Sequence, residues 1–300
     1  MDSATRSRST RLAEPAGERR KDVRRSFRRT RRRKERVALL GGQVDLVRPE
    51  EVLHHVTQAV RDQARFVVAN HNLHSLYLLA REPELRRFYA QADLIEADSA
   101  PLIGFARLLR LQGRPFHRCT YLDWKAHFWS LADRHNWRVF YLGGAPGVAE
   151  AAARNLSEDY PGVQLRTRDG YFDAAPGSAP NASILASIKA FEPHILFVGM
   201  GMPRQEIWIA QNLAALPPCV VFSVGAAFDY EAGAQRAAPR WMGRIGLEWA
   251  FRLLVDPRRL FSRYCVEPWF LVRPAMADLR AAFVRGFRPP PAPAERTHPA

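Results

Sequence analysis

The chain has 300 residues, which is enough for one large domain or for one domain with appendages. Hydrophobic residues make up 47% of it, as in ordinary globular proteins, and the formal net charge is +15. The three cysteines are widely spaced, and we find neither a CxxC motif nor a His/Cys grouping at metal-ligand spacing, so we expect free thiols and no metal or cofactor. No apolar run reaches the ~20 residues of a membrane span, and no signal peptide is evident, so the expected location is cytoplasmic.

Most of the positive charge lies at the N-terminus. Residues 1–36 contain 15 Lys/Arg and 5 Asp/Glu, a net of +10, and very few apolar residues, which predicts a disordered tail. Attraction to anionic lipid, attraction to nucleic acid and no function at all remain open for this tail. Its single aromatic residue, Phe27, disfavours nucleic acid, because binding proteins of that kind interleave stacking aromatics.

From residue 37 to about 240, strand-like and helix-like segments alternate. The strand patterns lie at 65–69, 93–96, 138–142, 163–167, 195–199 and 219–224, and the helix patterns at 73–80, 122–134, 148–159, 182–191 and 205–215. This alternation predicts an α/β domain over 37–240, with a mostly parallel, Rossmann-like sheet and helices on both faces.

The C-terminal part of the chain has a different composition. Residues 241–285 mix aromatic residues with arginines, which predicts a basic helical appendage. Two interpretations remain open: the appendage lies on a membrane surface, or it packs on the α/β domain, and both can hold. Residues 286–300 are rich in proline and are predicted to be disordered.

The most distinctive motif is the apolar run of residues 195–199 followed by Gly201 and Pro203. It predicts a buried strand that leads directly into a helix, because proline is well tolerated in a first helical turn. The free N–H groups of that turn, with Arg204 and Gln205, would face a ligand above the carboxyl end of the strand.

Polar residues follow two other predicted strands. Asn70 and Asn72 come after the strand at 65–69, where they could hold sugar hydroxyls, although Asn72 could simply cap the next helix. Asp98 follows the strand at 93–96 and could act as a general base, or it could stabilise a turn or a helix N-terminus. Glu96 is a competing carboxylate two residues earlier.

Three further candidates complete the predicted rim. Gly143 and Gly144 form a glycine turn between a strand and a helix, without the spacing of a dinucleotide loop. The guanidinium of Arg118 could neutralise a diphosphate. Asp229 follows the last predicted strand and could bind substrate or cap its turn.

In this order, these segments resemble the WecG/TagA/CpsF glycosyltransferase family over about residues 38–270. The resemblance is carried by Asn72, Ala97-Asp98 with Pro101, Arg118 with Asp123, Val139–Gly147, Tyr160-Pro-Gly162, Asp169-Gly-Tyr-Phe172, Val198–Glu206, Gly225–Asp229 with Gly233, Arg236 with Pro239, Gly246-Leu-Glu-Trp249, Arg252, Asp256-Pro257 and Arg263-Tyr264. Any one of these is weak, but the ordered set is specific.

The resemblance implies metal-independent, inverting transfer of a hexose or N-acetylhexosamine, of the N-acetylmannosamine type, in bacterial surface or cell-wall polymer synthesis. The donor would be a UDP-sugar and the acceptor a sugar on a polyprenyl diphosphate at the inner membrane face. Asp98 falls on the proposed general base, and the substrate-binding residues would be Asn70, Asn72, Arg118, Gly143, Gly144, Arg204, Gln205, Glu206 and Asp229. Arg252, Arg259 and Arg263 would reach the membrane and the acceptor.

The chain departs from the family pattern at three positions, which bear on the choice of donor sugar. Asn70 stands where the family usually has threonine, Ser99 where it has glycine, and Tyr121 where glycine is frequent. Two alternatives compete with the enzyme: a non-catalytic nucleotide-sugar-binding protein, and a nucleic-acid-binding protein that depends on the tail. The rim motifs favour the enzyme and no nucleic-acid partner. A homo-oligomer is left open.

Overall fold

The computed structural model describes residues 36–235, 238–239, 242 and 246–287. Residues 1–35 of the predicted tail and residues 288–300 of the predicted proline-rich end lie outside the described part. Arg36, which the sequence assigned to the tail, is instead the first residue of a strand. Its guanidinium donates to both carboxylate oxygens of Asp45, at 3.0 and 2.7 Å.

Of the eight strands in the described residues, six form one parallel sheet, and the first two form a separate antiparallel hairpin. The strands are β1 (Arg36–Leu39), β2 (Gly42–Asp45), β3 (Phe66–His71), β4 (Leu94–Ala97), β5 (Arg138–Gly143), β6 (Gln164–Arg168), β7 (Ile195–Gly199) and β8 (Val220–Ser223). The order in the sheet is β4-β3-β8-β7-β5-β6, and every neighbouring pair is parallel. All six carboxyl ends therefore meet at one edge, where open α/β sheets bind ligands.

The helices connect these strands and continue beyond them. They are α1 (Pro49–Arg61), α2 (Leu73–Leu79), α3 (Pro83–Gln91), α4 (Ala100–Leu108), α5 (Tyr121–Arg134), α6 (Val148–Asp159), α7 (Ala179–Phe191), α8 (Arg204–Asn212), α9 (Ala227–Glu231), α10 (Glu248–Val255), α11 (Pro257–Phe261) and α12 (Val272–Val284). A π-helical turn (Ser262–Val266) and a 3₁₀ turn (Glu267–Leu271) join α11 to α12. Within the described residues, none of the helices has both the length and the apolar character to cross a bilayer.

Helices cover both faces of the sheet, because the central strands are apolar on both sides. Along β5, Val139 and Tyr141 pack on one face with α1, α5, α6 and α9, whereas Phe140 and Leu142 pack on the other with α3, α7 and α8. The predicted α/β class, the parallel sheet and its two helical layers are confirmed. The hairpin and helices α1 and α3 were not expected from the sequence patterns, whereas α4 is the helix that the alternative role of Asp98 implied.

The predicted C-terminal helical segment packs on the domain. Leu271 and Ala282 are buried in one apolar cluster with Val37 and Leu39 of the hairpin and Ile103 of α4. Other large apolar side chains of the segment are exposed, namely Leu254, Phe261, Trp269, Phe270, Met276 and Phe283. Docking on the domain therefore accounts for only part of the apolar surface of this segment.

Candidate active site

Asp98 lies just beyond the carboxyl end of the fully buried strand β4. Its N–H donates to the carbonyl of His71 at 2.8 Å, which places it beside the end of β3. Ser99, and not Asp98, is the N-cap of α4. Asp98 is partly exposed.

Arg118 lies next to this carboxylate because its loop runs alongside β4. Ala97 and Arg118 pair in an isolated parallel bridge, and the N–H of Cys119 donates to the carbonyl of Ala97 at 3.0 Å. Beneath them, Glu96 is buried and accepts hydrogen bonds from Cys119 Sγ and Trp124 Nε1. Burial raises the pKa of Glu96 to about 8. Glu96 therefore has internal partners, whereas Asp98 faces outward.

The C-terminal segment covers these residues and completes a cavity of about 210 Å³. Its charged and polar lining includes Asn72, Asp98, Arg118, Glu248, Arg252 and Arg263, and Trp249 and Tyr264 add aromatic surface. The lining thus carries three guanidinium groups and two carboxylates. Such a cavity suits a strongly anionic ligand that either carries a reactive hydroxyl group or reacts with one.

Glu248 links two of these guanidinium groups. One of its carboxylate oxygens accepts a hydrogen bond from Arg118 at 2.5 Å, and the other accepts one from Arg252. A second connection lies nearby, where His74 of α2 contacts Glu267 at 2.5 Å. Both contacts join the C-terminal segment to the carboxyl edge of the sheet.

The pKa of Asp98 is raised to about 6. Burial is the largest cause; the positive charges of Arg252 and Arg118 act in the opposite direction, and Glu248 and Asp123 raise the pKa further. A carboxyl group with such a pKa is ionised at neutral pH yet more basic than a free aspartate. Those are the properties of a general base that works near pH 7.

Asn72 has both of the roles that its position suggested. Its side-chain oxygen accepts a hydrogen bond from the N–H of Ser75 at 3.0 Å, which caps α2, and the residue also lines the cavity. Asn70 does not line the cavity. Its side-chain amide donates to the carbonyl of Ser223 at 2.7 Å and so connects β3 to β8.

The glutamine of the 195–209 motif does not line the cavity. Gln205 is fully buried, and its oxygen accepts from the N–H groups of Gly201 at 3.2 Å and Gly225 at 3.1 Å. Its amide donates to Glu206 at 2.6 Å, and burial raises the pKa of Glu206 to about 7. Arg204 donates to the carbonyl of Phe172 at 2.5 Å. Gln205 therefore connects the ends of β7 and β8, whereas Arg204 connects α8 to the loop that follows β6.

The remaining rim residues also lie away from the cavity lining. Gly143 ends β5 and Gly144 follows it, and the N–H of Gly144 donates to the carbonyl of Gly199 at 3.1 Å. Asp229 lies in α9, where it raises the pKa of Tyr141 in addition to the larger effect of burial. Among the described residues, no three His, Cys, Asp or Glu side chains are grouped as metal ligands.

Comparison with known proteins identifies the family. The model of the glycosyl transferase WecG/TagA/CpsF family matches residues 37–282. The chain belongs to this family. It is similar to proteins named N-acetylglucosaminyldiphosphoundecaprenol N-acetyl-beta-D-mannosaminyltransferase from Staphylococcus aureus strains NCTC 8325, COL and N315. Each is 28% identical over 219 residues, which cover 70% of this chain and 83% of the relative.

The chain is thus a glycosyltransferase, and its predicted site residues fall into two groups. The cavity brings together Asn72, Asp98, Arg118, Arg252 and Arg263. It does not bring in Asn70, Gly143, Gly144, Arg204, Gln205, Glu206 or Asp229, so their contact with substrate stays a prediction. The side chain of Arg259 lies outside the described part of the structure.

In this WecG/TagA/CpsF glycosyltransferase, the sequence prediction missed the role of Glu248. The residue belongs to the Gly246-Leu-Glu-Trp249 motif, but no pattern within the motif indicates that its partners are Arg118 and Arg252. One signal was present: Glu248 is an acidic residue at the start of a segment in which arginines predominate.

Proposed function

We propose that this protein is an inverting, metal-independent glycosyltransferase. It transfers a sugar of the N-acetylmannosamine type from a UDP-sugar to a sugar carried on a polyprenyl diphosphate, in the synthesis of a bacterial surface or cell-wall polymer. The observation that carries the proposal is the placement of Asp98 in one cavity with three arginines. The Staphylococcus aureus relatives, whose name includes a diphosphoundecaprenol acceptor and a mannosaminyl group, support the donor and acceptor classes.

Asp98 acts as the general base. Its carboxylate takes the proton from the acceptor hydroxyl while the hydroxyl oxygen attacks the anomeric carbon of the donor. The bond from that carbon to the UDP oxygen breaks on the opposite face, so an α-linked donor gives a β-linked product. UDP leaves with both electrons of the broken bond. Base catalysis of this kind contributes roughly 10²–10⁴-fold to a rate.

The arginines stabilise the leaving group. Arg118, Arg252 and Arg263 line the cavity, and their planar guanidinium groups match the oxygens of a diphosphate. They supply the positive charge that stabilises the departing UDP. We propose that transfer needs no metal ion because these arginines take that role. Full transfer activity in the presence of EDTA is the corresponding expectation.

The decisive experiment replaces Asp98. The Asp98→Asn variant keeps the shape of the side chain and is expected to lose at least about 10²-fold in kcat, because an amide cannot accept the proton. The assay uses UDP-N-acetylmannosamine and a short-chain prenyl-diphosphate N-acetylglucosamine, with products identified by mass spectrometry. Wild-type kcat/KM should fall below about pH 6, where Asp98 becomes protonated.

Asp62→Asn is the matched control, since Asp62 contacts Gln58 on the exposed end of α1, away from the cavity. This control should keep full activity. A folded Asp98→Asn variant with wild-type kcat would refute the base assignment. Wild-type protein that binds UDP-sugars but transfers to no lipid-linked acceptor would instead favour the non-catalytic alternative.

The exposed side of the C-terminal segment is proposed to contact the membrane that holds the acceptor. Trp269 is 75% exposed and Phe283 is also 75% exposed, in a segment that carries arginines as well. Exposed aromatic side chains and basic side chains in one segment are typical of proteins that lie at the headgroup region. This contact would bring the cavity close to a lipid-linked sugar.

Liposome flotation in 0.5 M salt, roughly the concentration at which surface charges are well screened, tests the membrane contact. The double variant Trp269→Gln/Phe283→Gln should bind liposomes about tenfold or more weakly than wild type, because each buried aromatic side chain contributes about 1.5–3 kcal/mol. Tyr171→Gln, which removes an aromatic residue that is 73% exposed elsewhere, is the control. Equal binding by all three proteins would contradict a role for this surface.

A further inference from the structure

Glu248 occupies the position between two arginines that an anionic ligand would need. Arg118 and Arg252 each donate a hydrogen bond to it, through separate carboxylate oxygens. Only 17%, 19% and 32% of the Arg118, Glu248 and Arg252 side chains are exposed, so water screens these contacts less than it screens surface ion pairs. Two guanidinium groups bridged by oxygens of one anion form the same arrangement that a diphosphate makes.

Glu248 also changes the net charge of the cavity lining. Burial alone would raise the pKa of Glu248, but Arg252 and Arg118 outweigh it, and the net pKa is lowered. Glu248 therefore stays ionised and neutralises part of the positive charge of the lining. A diphosphate that enters the cavity meets arginines that are already paired, and it must replace Glu248 to bind them fully.

We propose that Glu248 is an internal substitute for the donor diphosphate. It holds Arg118 and Arg252 in place while the cavity is empty, and it gives up both arginines when the nucleotide diphosphate binds. The inference rests on the proposed function, which makes that diphosphate part of a UDP-sugar. Because Glu248 begins α10, the exchange of partners also links donor binding to the position of the C-terminal segment.

The inference predicts that removing the negative charge tightens nucleotide binding. Glu248→Gln is expected to bind UDP about tenfold more tightly than wild type by calorimetry, since the ligand no longer competes with a charge-assisted pair. The KM for the UDP-sugar should fall as well, and kcat should fall because UDP is released more slowly. The acidic limb of kcat/KM should move to lower pH, because Glu248 is one of the charges that raise the pKa of Asp98.

Two variants serve as controls. Glu248→Asp keeps the carboxylate with one methylene fewer, and its UDP affinity should stay within about twofold of wild type, because the competing charge remains. Glu231→Gln breaks the ion pair with Lys125 outside the cavity and should leave UDP affinity unchanged. Melting temperatures are measured for every protein, and Glu248→Ala takes the place of Glu248→Gln where the latter does not fold.

The outcomes separate the inference from the proposed function. UDP affinity that is unchanged or weaker in folded Glu248→Gln would overturn the inference and leave the donor proposal standing. Inorganic diphosphate is the second probe. If wild type and variant bind diphosphate in the predicted order but neither binds UDP, the exchange of partners holds and the nucleotide donor is wrong.

Discussion

The carboxyl edge of the sheet has two halves that differ in how the chain leaves its strands. Beyond β3 and β4 the backbone turns away and leaves a cavity lined by Asp98 and Arg118. Beyond β5, β7 and β8 the backbones pack against one another: a Cβ on Gly143 would lie 2.4 Å from the carbonyl oxygen of Gly199, and a Cβ on Gly199 would lie 2.5 Å from that of Gly225. One half thus contains a cavity, and the other contains close contacts between backbones.

This difference shows that glycine after a strand is an ambiguous signal. Glycine permits the backbone to approach a ligand, but it equally permits one backbone to approach another. In this protein the neighbouring residues determine which of the two occurs. The hydrogen bonds of Gln205 to Gly201 and Gly225 hold the ends of β7 and β8 together. Substitutions at Gly199, Gln205 and Asp98 should therefore have different effects in the two halves.

The largest expected effect is a loss of stability at the closely packed half. Gly199→Ala should lower the free energy of unfolding by about 3 kcal/mol or more, because the added methyl group meets the carbonyl of Gly225 and the hydroxyl of Tyr141, and neither neighbour can retreat easily. Chemical denaturation measures the change.

Gly104→Ala is the matched control for this substitution. Gly104 lies on the exposed side of α4, where an added methyl group would have nothing within 4 Å, so alanine there should be neutral or stabilising by about 0.5–1 kcal/mol. Equal stability of the two variants would show that the strand ends can separate, and the comparison of the two halves would then fail.

A smaller effect is expected for Gln205. Gln205→Ala should lower the free energy of unfolding by about 2–3 kcal/mol, because two N–H groups lose their acceptor and Glu206 loses its donor. UDP affinity of the folded protein should not change. Gln211→Ala, on the exposed side of the same helix, is the control and should be nearly neutral. Weaker UDP binding with unchanged stability would instead place Gln205 in donor contact, as the sequence predicted.

The sequence predicted the strands of the sheet well because buried parallel strands are continuous apolar runs, as in residues 195–199. It missed the hairpin, because Gly42, Gln43 and Asp45 leave β2 without such an apolar run. Asp98 could be placed at the carboxyl edge, because polar residues that follow parallel strands converge there. Arg118 follows no predicted strand, and only the family resemblance assigned it to the same site.

The rest of the site depends on contacts between distant parts of the chain. Arg118 and Glu248 are 130 positions apart, and they meet only because the C-terminal segment packs over the ends of β3 and β4. The local pattern around Gln205 also could not show whether its side chain turns outward to a ligand or inward to Gly201 and Gly225. Both outcomes fit the same residues on the same helix.

The smallest expected effect belongs to the open half and concerns stability. The folded-state pKa of Asp98 is about 6, above the ordinary value of 3.8, so the folded protein binds a proton more readily than the unfolded chain between those pH values. Stability contributed by this group is therefore present at low pH and lost as the pH rises through about 6. At pH 7.5 the ionised Asp98 destabilises the fold, by about 1 kcal/mol once its partial exposure is taken into account.

Asp98→Asn should consequently be more stable than wild type at pH 7.5, with a melting temperature about 2–4 °C higher, and should match wild type at pH 4. Differential scanning calorimetry at both pH values measures this, with Asp62→Asn as the matched control. Loss of activity together with a gain in stability is the result expected for a base in a partly desolvated cavity. The environment that makes the carboxylate more basic also raises the free energy of its ionised form. A variant less stable at pH 7.5 would mean that Asp98 serves the fold, as Gln205 does in the other half.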